Sequence, residues 1–451
     1  MHRTPEKPLQ LTDARAVGGS VSLPLFAAYV AVSLAGLLAA AVALVVAAPD
    51  LAAGVPDASA PVLAVHLLAL GFLPPAVAGA AFHLLPVMLR NDLRSERRLA
   101  VALPLLAVGA WLVAPGVAFT VPGLLWPGAT LLSGGLALVL VELGGVVLRA
   151  PRGRMLVASR SGVALSLFHA ACALVLGSVV FAHGDATVLG VVHDRWVLIH
   201  LHVAVLGWLA LLIVAVGRTL GPMLALAPSA PARRLPIDEL TLTLGLWLLA
   251  AGIAASRVVA YVGAALVVLA LGRFGALVAR TALKRRIEPE GPLLHLVAGA
   301  AFLVQAAALG FALLAGAASG GRALGAYVLL LLLGWAAGVT AGHLPKLLSL
   351  SAWVWWPPGP RPKQGALYAR RLAQVEGVLF AAGIETLAAG TFAGSAAATR
   401  AGAALFAASA VATAIVAARA WIGASPDVRR IAWHDLLDAW RRRTTRTPSG
   451  A

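Results

Sequence analysis

Apolar stretches of eighteen or more residues recur along this chain from end to end, and this constrains its fold more than anything else in the sequence. Each such stretch is long enough to cross a bilayer as a helix. The pattern predicts spans at 22–48, 61–89, 99–117, 121–148, 161–182, 196–225, 237–256, 259–279, 293–316, 324–350, 372–394 and 401–423. Twelve spans over 451 residues correspond to roughly 35 residues per span and connection. The predicted fold class is therefore all-α, a polytopic membrane protein. Composition agrees: 61% of residues are hydrophobic and 12% charged, against about 45–50% and about 25% in soluble domains. An ordinary soluble enzyme, a disordered chain and a disulfide scaffold are excluded. One cysteine, Cys172, also excludes intrachain disulfides, zinc ribbons and cysteine-ligated iron–sulfur clusters.

The formal net charge of +17 suggests nucleic acid until the charges are placed. Alternate loops carry the basic residues: Arg90, Arg94, Arg97 and Arg98; Arg149, Arg152, Arg154 and Arg160; Arg233 and Arg234; Lys284, Arg285 and Arg286; Arg361, Lys363, Arg370 and Arg371. The other loops hold only Arg195, Arg257, Arg322 and Arg400, with Asp50, Asp57, Asp185 and Asp194. By the positive-inside rule both termini are expected in the cytoplasm of an inner (plasma) membrane protein. The basic charge then faces anionic lipid rather than nucleic acid. The first span is too long for a cleavable signal peptide. Residues 1–424 read as one transmembrane domain. Residues 425–451 read as an amphipathic interfacial helix, begun by Ser425 and Pro426, and a basic cytoplasmic tail.

An internal repeat emerges next. The second span carries His66, Gly71, Phe72 and Pro86; the sixth repeats them as His202, Gly207, Trp208 and Pro222, all at one constant offset. The tenth carries Gly334 and Trp335, which align with Gly207 and Trp208. In that alignment its Ala341 and Gly342 fall on Ala78 and Gly79, and its counterpart of the two histidines is Leu329. Spans two, six and ten read as copies, so three four-helix units are expected.

Nine of the eleven histidines fall within the spans or at their edges. An ionisable residue at membrane depth is a functional candidate by default. For lone residues such as His169 and His295, a neutral imidazole bonded to a carbonyl is the favoured reading. With cytoplasmic termini, His66, His200 and His202 lie in the outer half, and His83 and His343 near the inner ends. The repeat alignment separates His66 from His343 by fourteen residues, about 21 Å along a helix. His66 and His202 share one depth. His200 and His202 point about 200° apart and can serve two sites. Haem uses neutral imidazole in this way, with the second ring nitrogen held by a partner.

These features together resemble subunit I of the haem-copper oxidase superfamily, and more closely its shortened relatives, including NnrS-type membrane proteins associated with nitric oxide metabolism. The resemblance rests on the stretch from His66 to Arg90, on His200, His202, Gly207, Trp208, Pro222 and Met223, and on Gly342, His343, Lys346 and Trp353. It implies a haem held by His66 and His202, with His200 as the alternative ligand and Arg195 beside a haem propionate. Departures from the oxidase pattern accompany it. Span seven has no histidine for copper, and the outer half of span ten has none for haem. The resemblance therefore implies a haem-binding redox protein without an intact oxygen-reducing centre. It would serve respiration or nitric oxide metabolism and receive electrons from a respiratory partner.

Glu142 and Glu385 are further polar candidates within the spans, and His83, His343 and Glu385 complete the candidate set. For Glu142 a structural carboxyl is the favoured reading. Two other function classes fit the same residues: a transporter or channel for a metal ion or small solute, with histidines along its path, and a scaffold subunit without cofactor.

Overall fold

The computed structural model describes residues 21–150, 157–184, 186–228, 236–356, 360 and 362–423. Among them are twelve helices long and apolar enough to cross a membrane. They are α1 (Leu23–Ala53), α2 (Ser59–Leu89), α3 (Glu96–Ala118), α4 (Pro122–Arg149), α5 (Arg160–His183) and α6 (His193–Leu224). The second half comprises α7 (Ile237–Ala255), α8 (Arg257–Leu283), α9 (Gly291–Ala315), α10 (Gly320–Val354), α11 (Arg370–Ala393) and α12 (Ala396–Gly423). The only extended pairing among the described residues is an isolated bridge between Val188 and Val191. The protein is an all-α, polytopic membrane protein in contact with the lipid bilayer. Each predicted span falls on one helix, and several helices run further; α10 has 35 residues, more than the roughly 20 a bilayer needs. The interfacial helix and tail expected over 425–451 lie outside the described residues.

Local signals place the ends. Pro24, Pro122 and Pro292 occupy first turns, where a missing N–H costs nothing. α1, α9 and α11 stop at Gly54, Gly316 and Gly394, all left-handed. Successive helices alternate in direction, so the loops sort onto two faces. The basic face carries the connections α2–α3, α6–α7, α8–α9 and α10–α11.

The packing repeats three times. In each unit the first helix packs on the second, the second on the third and fourth, and the third on the fourth. Units join where α4 meets α5, α8 meets α9 and α12 meets α1, which closes the ring. α10 touches both α2 and α6.

Small residues make this repetition visible in detail. The α3–α4, α7–α8 and α11–α12 hairpins cross at Gly109 with Gly128, Gly245 with Gly263, and Gly383 with Gly402. Seven residues on, each first helix has another glycine: Gly116 faces Leu125, Gly252 faces Ala260 and Gly390 faces Thr399. Two turns apart on one stripe, these glycines bring backbones together where lipid gives no hydrophobic drive.

A second set of contacts joins the first and second helices. Gly71, Gly207 and Gly334 face Gly36, His169 and Phe302 respectively. Eight residues on, Gly79, Ala215 and Gly342 face Tyr29, Gly162 and His295. The first-helix residues in both sets recur at one constant interval. A bulky residue on one helix meets a small one on the other, or both are small.

The repeat also appears as a backbone irregularity. α2, α6 and α10 each widen into a π-helical segment, at Leu67–Phe72, Val203–Ala210 and Leu329–Ala337. Pro74 and Pro75 follow the first segment only, so proline is not the shared cause. The shared feature is the glycine under close approach. Segments of this kind are rare and concentrate at functional sites.

Candidate functional site

α2 and α6 place His66, His200 and His202 away from the basic face, where Tyr327 of α10 meets His202. Several histidines bond back to their own helix. The Nδ1–H of His66 donates to the Val62 carbonyl at 2.8 Å, and that of His202 to Leu198 at 2.7 Å. His169 and His343 do the same to Leu165 and Val339, each at 2.7 Å. This bond fixes the tautomer and leaves Nε2 as the acceptor.

The two histidines of α6 diverge. The Nε2 of His202 accepts from the Tyr327 hydroxyl of α10 at 2.8 Å, so both its ring nitrogens are bonded. His200 lies against α5, beside the Ala173 backbone and Gly177, where a Cβ would sit 2.9 Å from its ring. His200 is also within electrostatic range of His66. Of the two α6 imidazoles, His202 is turned to α10 and bonded to Tyr327, and His200 is the one under an electrostatic influence from His66. The physical reason is the roughly 200° between residues two apart.

The repeat accounts for this arrangement. Tyr327 occupies the same repeat position in α10 as His200 does in α6. Each second helix thus reaches from that position to the preceding unit's histidine position: His200 toward His66, and Tyr327 to His202. The third pair by the same alignment is Ala64 and Leu329, both buried and apolar. Tyr327 was missed from sequence because a phenol replaces an imidazole; its repeat position was the available signal.

The remaining candidates lie elsewhere. Arg195 donates to the Ala254 carbonyl at 2.8 Å, and Arg322, its counterpart at the start of α10, donates to Ala52 at 2.9 Å. Each neutralises the end of a helix, which is the role of a cation at a C-terminus. Arg195 is thus engaged at the α7 end. Glu385 lies on the outward face of α11 and accepts from Gln305 of α9 at 3.0 Å. Glu142 is buried and accepts from the Ser95 amide at 3.0 Å, from the Arg94 amide and from Arg98 at 3.1 Å. It caps the start of α3, as expected of a structural carboxyl. His83 stacks on Phe26 and donates from Nε2 to Ser351 at 2.9 Å.

His295 differs from the carbonyl-bonded expectation. Its Nε2–H donates to Glu376 at 2.9 Å. Nearby, Lys346 pairs with Glu290 at 2.6 Å and lies 4.5 Å over the Tyr368 ring. Burial, then the Glu290 and Glu376 carboxylates, hold the Tyr368 phenol above its ordinary pKa. In the second unit Asp238 is held by Arg218 and, at 3.2 Å, by Arg273.

The residues near α2 and α6 can be tested against a haem. His66 presents an open acceptor Nε2 with its other nitrogen held, which suits an axial ligand. The Nδ1 of His200 is buried with no hydrogen-bond partner, which costs free energy unless something binds it. His202 offers no spare nitrogen. Among the described residues no three of His, Cys, Asp and Glu gather as a metal site. No protein-family model matches the chain, and no curated protein matches it.

Proposed function

We propose that this protein is a haem-binding membrane redox protein with an architecture like oxidase subunit I, acting in respiration or nitric oxide metabolism. The observation that carries the reading is that His66 of α2, held by Val62, and His200 of α6, with a buried unpartnered Nδ1, lie within electrostatic range of each other. His66 and His200 are the residues that would hold the haem. A bound haem supplies one-electron transfer. The protein contributes the tautomer of His66, the snug seat of His200 against Gly177 and apolar helices that exclude water. His202 and Tyr327 brace α6 on α10 beside this pair. The three-unit packing supports the architectural part of the reading.

We also infer that the basic face is cytoplasmic. The loop charges support this: single arginines, Arg195, Arg257, Arg322 and Arg400, stand on the opposite face against clusters of arginine and lysine on the basic face. The haem would then lie in the outer half and take electrons from a membrane or external respiratory partner.

The purified protein's absorbance tests the reading. A Soret band that shifts on dithionite reduction is expected. Protein expressed with ample haem precursor that shows no such band would overturn it, and a bound metal ion without haem would favour a metal-ion path.

A further inference from the structure

α9 and α11 pack side by side in the third unit, and the outward residues of both recur at heptad spacing. On α11 these are Val375, Val378, Ala382, Glu385, Ala389 and Phe392, all exposed. On α9 they are Val297, Ala301, Val304 and Ala308, also exposed. On each helix the two alanines stand one heptad apart, with larger side chains between them. This pattern suits a further helix laid along the two, because small residues let its backbone approach.

One residue on this face does not suit lipid. Glu385 lies two turns before the end of α11 at Ala393, about 12 Å into the membrane at 1.5 Å per residue. Its two methylenes are too short to lift the carboxylate to the headgroups, as a lysine or arginine stem can. A carboxylate at such depth is costly in hydrocarbon and is found paired or turned to protein. The bond from Gln305 at 3.0 Å comes from a neutral amide and leaves the charge unbalanced. Among the described residues no ion pair includes Glu385. The other two units differ here. Counted from the hairpin glycines Gly109, Gly245 and Gly383, the same position holds Trp111 and Trp247, exposed by 46% and 36%. An indole offers lipid an apolar body; the third unit offers an acid.

We propose that one transmembrane helix of a partner protein lies along α9 and α11 and sets a lysine or arginine against Glu385. Three arguments choose this occupant. The carboxylate calls for a cation at its own depth. A second copy docked on this face about a two-fold axis would set Glu385 against Glu385, like charges in a low dielectric. Outside the twelve helices the sequence has no further apolar stretch long enough to span, so this chain has no spare helix for the place. The heptad stripes give the line along which the partner runs, and Glu385 gives its register. The inference does not rest on haem.

The test places the photoreactive residue benzoylphenylalanine at Val304 or Val378, one on each helix, in the full chain within the membranes of cells that naturally make it. Both positions are well exposed, so the probe leaves the packing intact. Irradiation should join each probe to the same transmembrane segment of another protein, and mass spectrometry of the joined peptide should read a lysine or arginine within that segment. A probe at Val141, outward on α4, should join lipid. Glu385→Gln keeps the shape of the side chain and an acceptor for Gln305 but removes the charge. It should lower the yield at Val378 about fivefold or more, as loss of a strong polar contact between membrane helices requires. Joining to lipid alone, to a second copy of this chain or to a segment without a basic residue overturns the proposal, as does an unchanged yield in Glu385→Gln. Should that variant fail to fold, the two probes in the otherwise unchanged chain decide: one shared basic segment upholds the proposal, and two different segments overturn it.

Discussion

His200 and His202 are two residues apart yet belong to different neighbours, one to α2 and α5 and the other to α10. The divergence was legible in the sequence, since helix geometry requires it. The destination of each ring was not, because it depends on which helices flank α6. The His202–Tyr327 bond gives a direct test. Tyr327→Phe removes the donor and leaves a buried imidazole nitrogen unpaired, a loss of about 1–3 kcal/mol. Thermal unfolding in detergent should register it. His202→Phe combined with Tyr327→Phe should cost less than the two changes summed, because the second removes a bond already broken. Strict additivity would show that the two side chains are not coupled. Glu385 teaches the opposite lesson: its depth in the span was readable, but its outward direction and bond to Gln305 required the neighbouring helix α9.

The spans and their second-helix repeat could be read from hydropathy and from a few spaced residues. The π-helical segments could not be read that way, although each contains a glycine closely approached by a neighbouring helix. The first-helix repeat was hidden for another reason: Tyr29, Gly162 and His295 share a position but neither size nor chemistry. The hairpin glycines supply the test at this scale. A Cβ on Gly252 would sit 2.6 Å from the Ala260 Cβ, whereas one on Gly272 meets nothing within 4 Å. Gly252→Val should therefore destabilise the α7–α8 hairpin by about 1–3 kcal/mol or more through overpacking. Gly272→Val, on the outward face of α8, should leave the unfolding temperature nearly unchanged. Equal effects would contradict the crossing at Gly252.

For the whole molecule, three similar units carry different polar groups around one ring. His66, His200 and His202 lie away from the basic face, and the His295–Glu376 pair lies toward it, with the apolar run Leu329–Ala337 of α10 between them. Orientation in the membrane is testable by reporter fusion. A reporter after Arg98 should be cytoplasmic and one at Asp57 external; the reverse would invert both the loop-charge argument and the depth of every histidine. The central claim concerns one pair of ligands, and the spectra of three variants, read on folded protein, test it most directly. His66→Ala and His200→Ala should each abolish six-coordinate haem, while His202→Ala should keep it. Loss in His202→Ala with retention in His200→Ala would contradict the account, because it would make the residue bonded to Tyr327 the ligand.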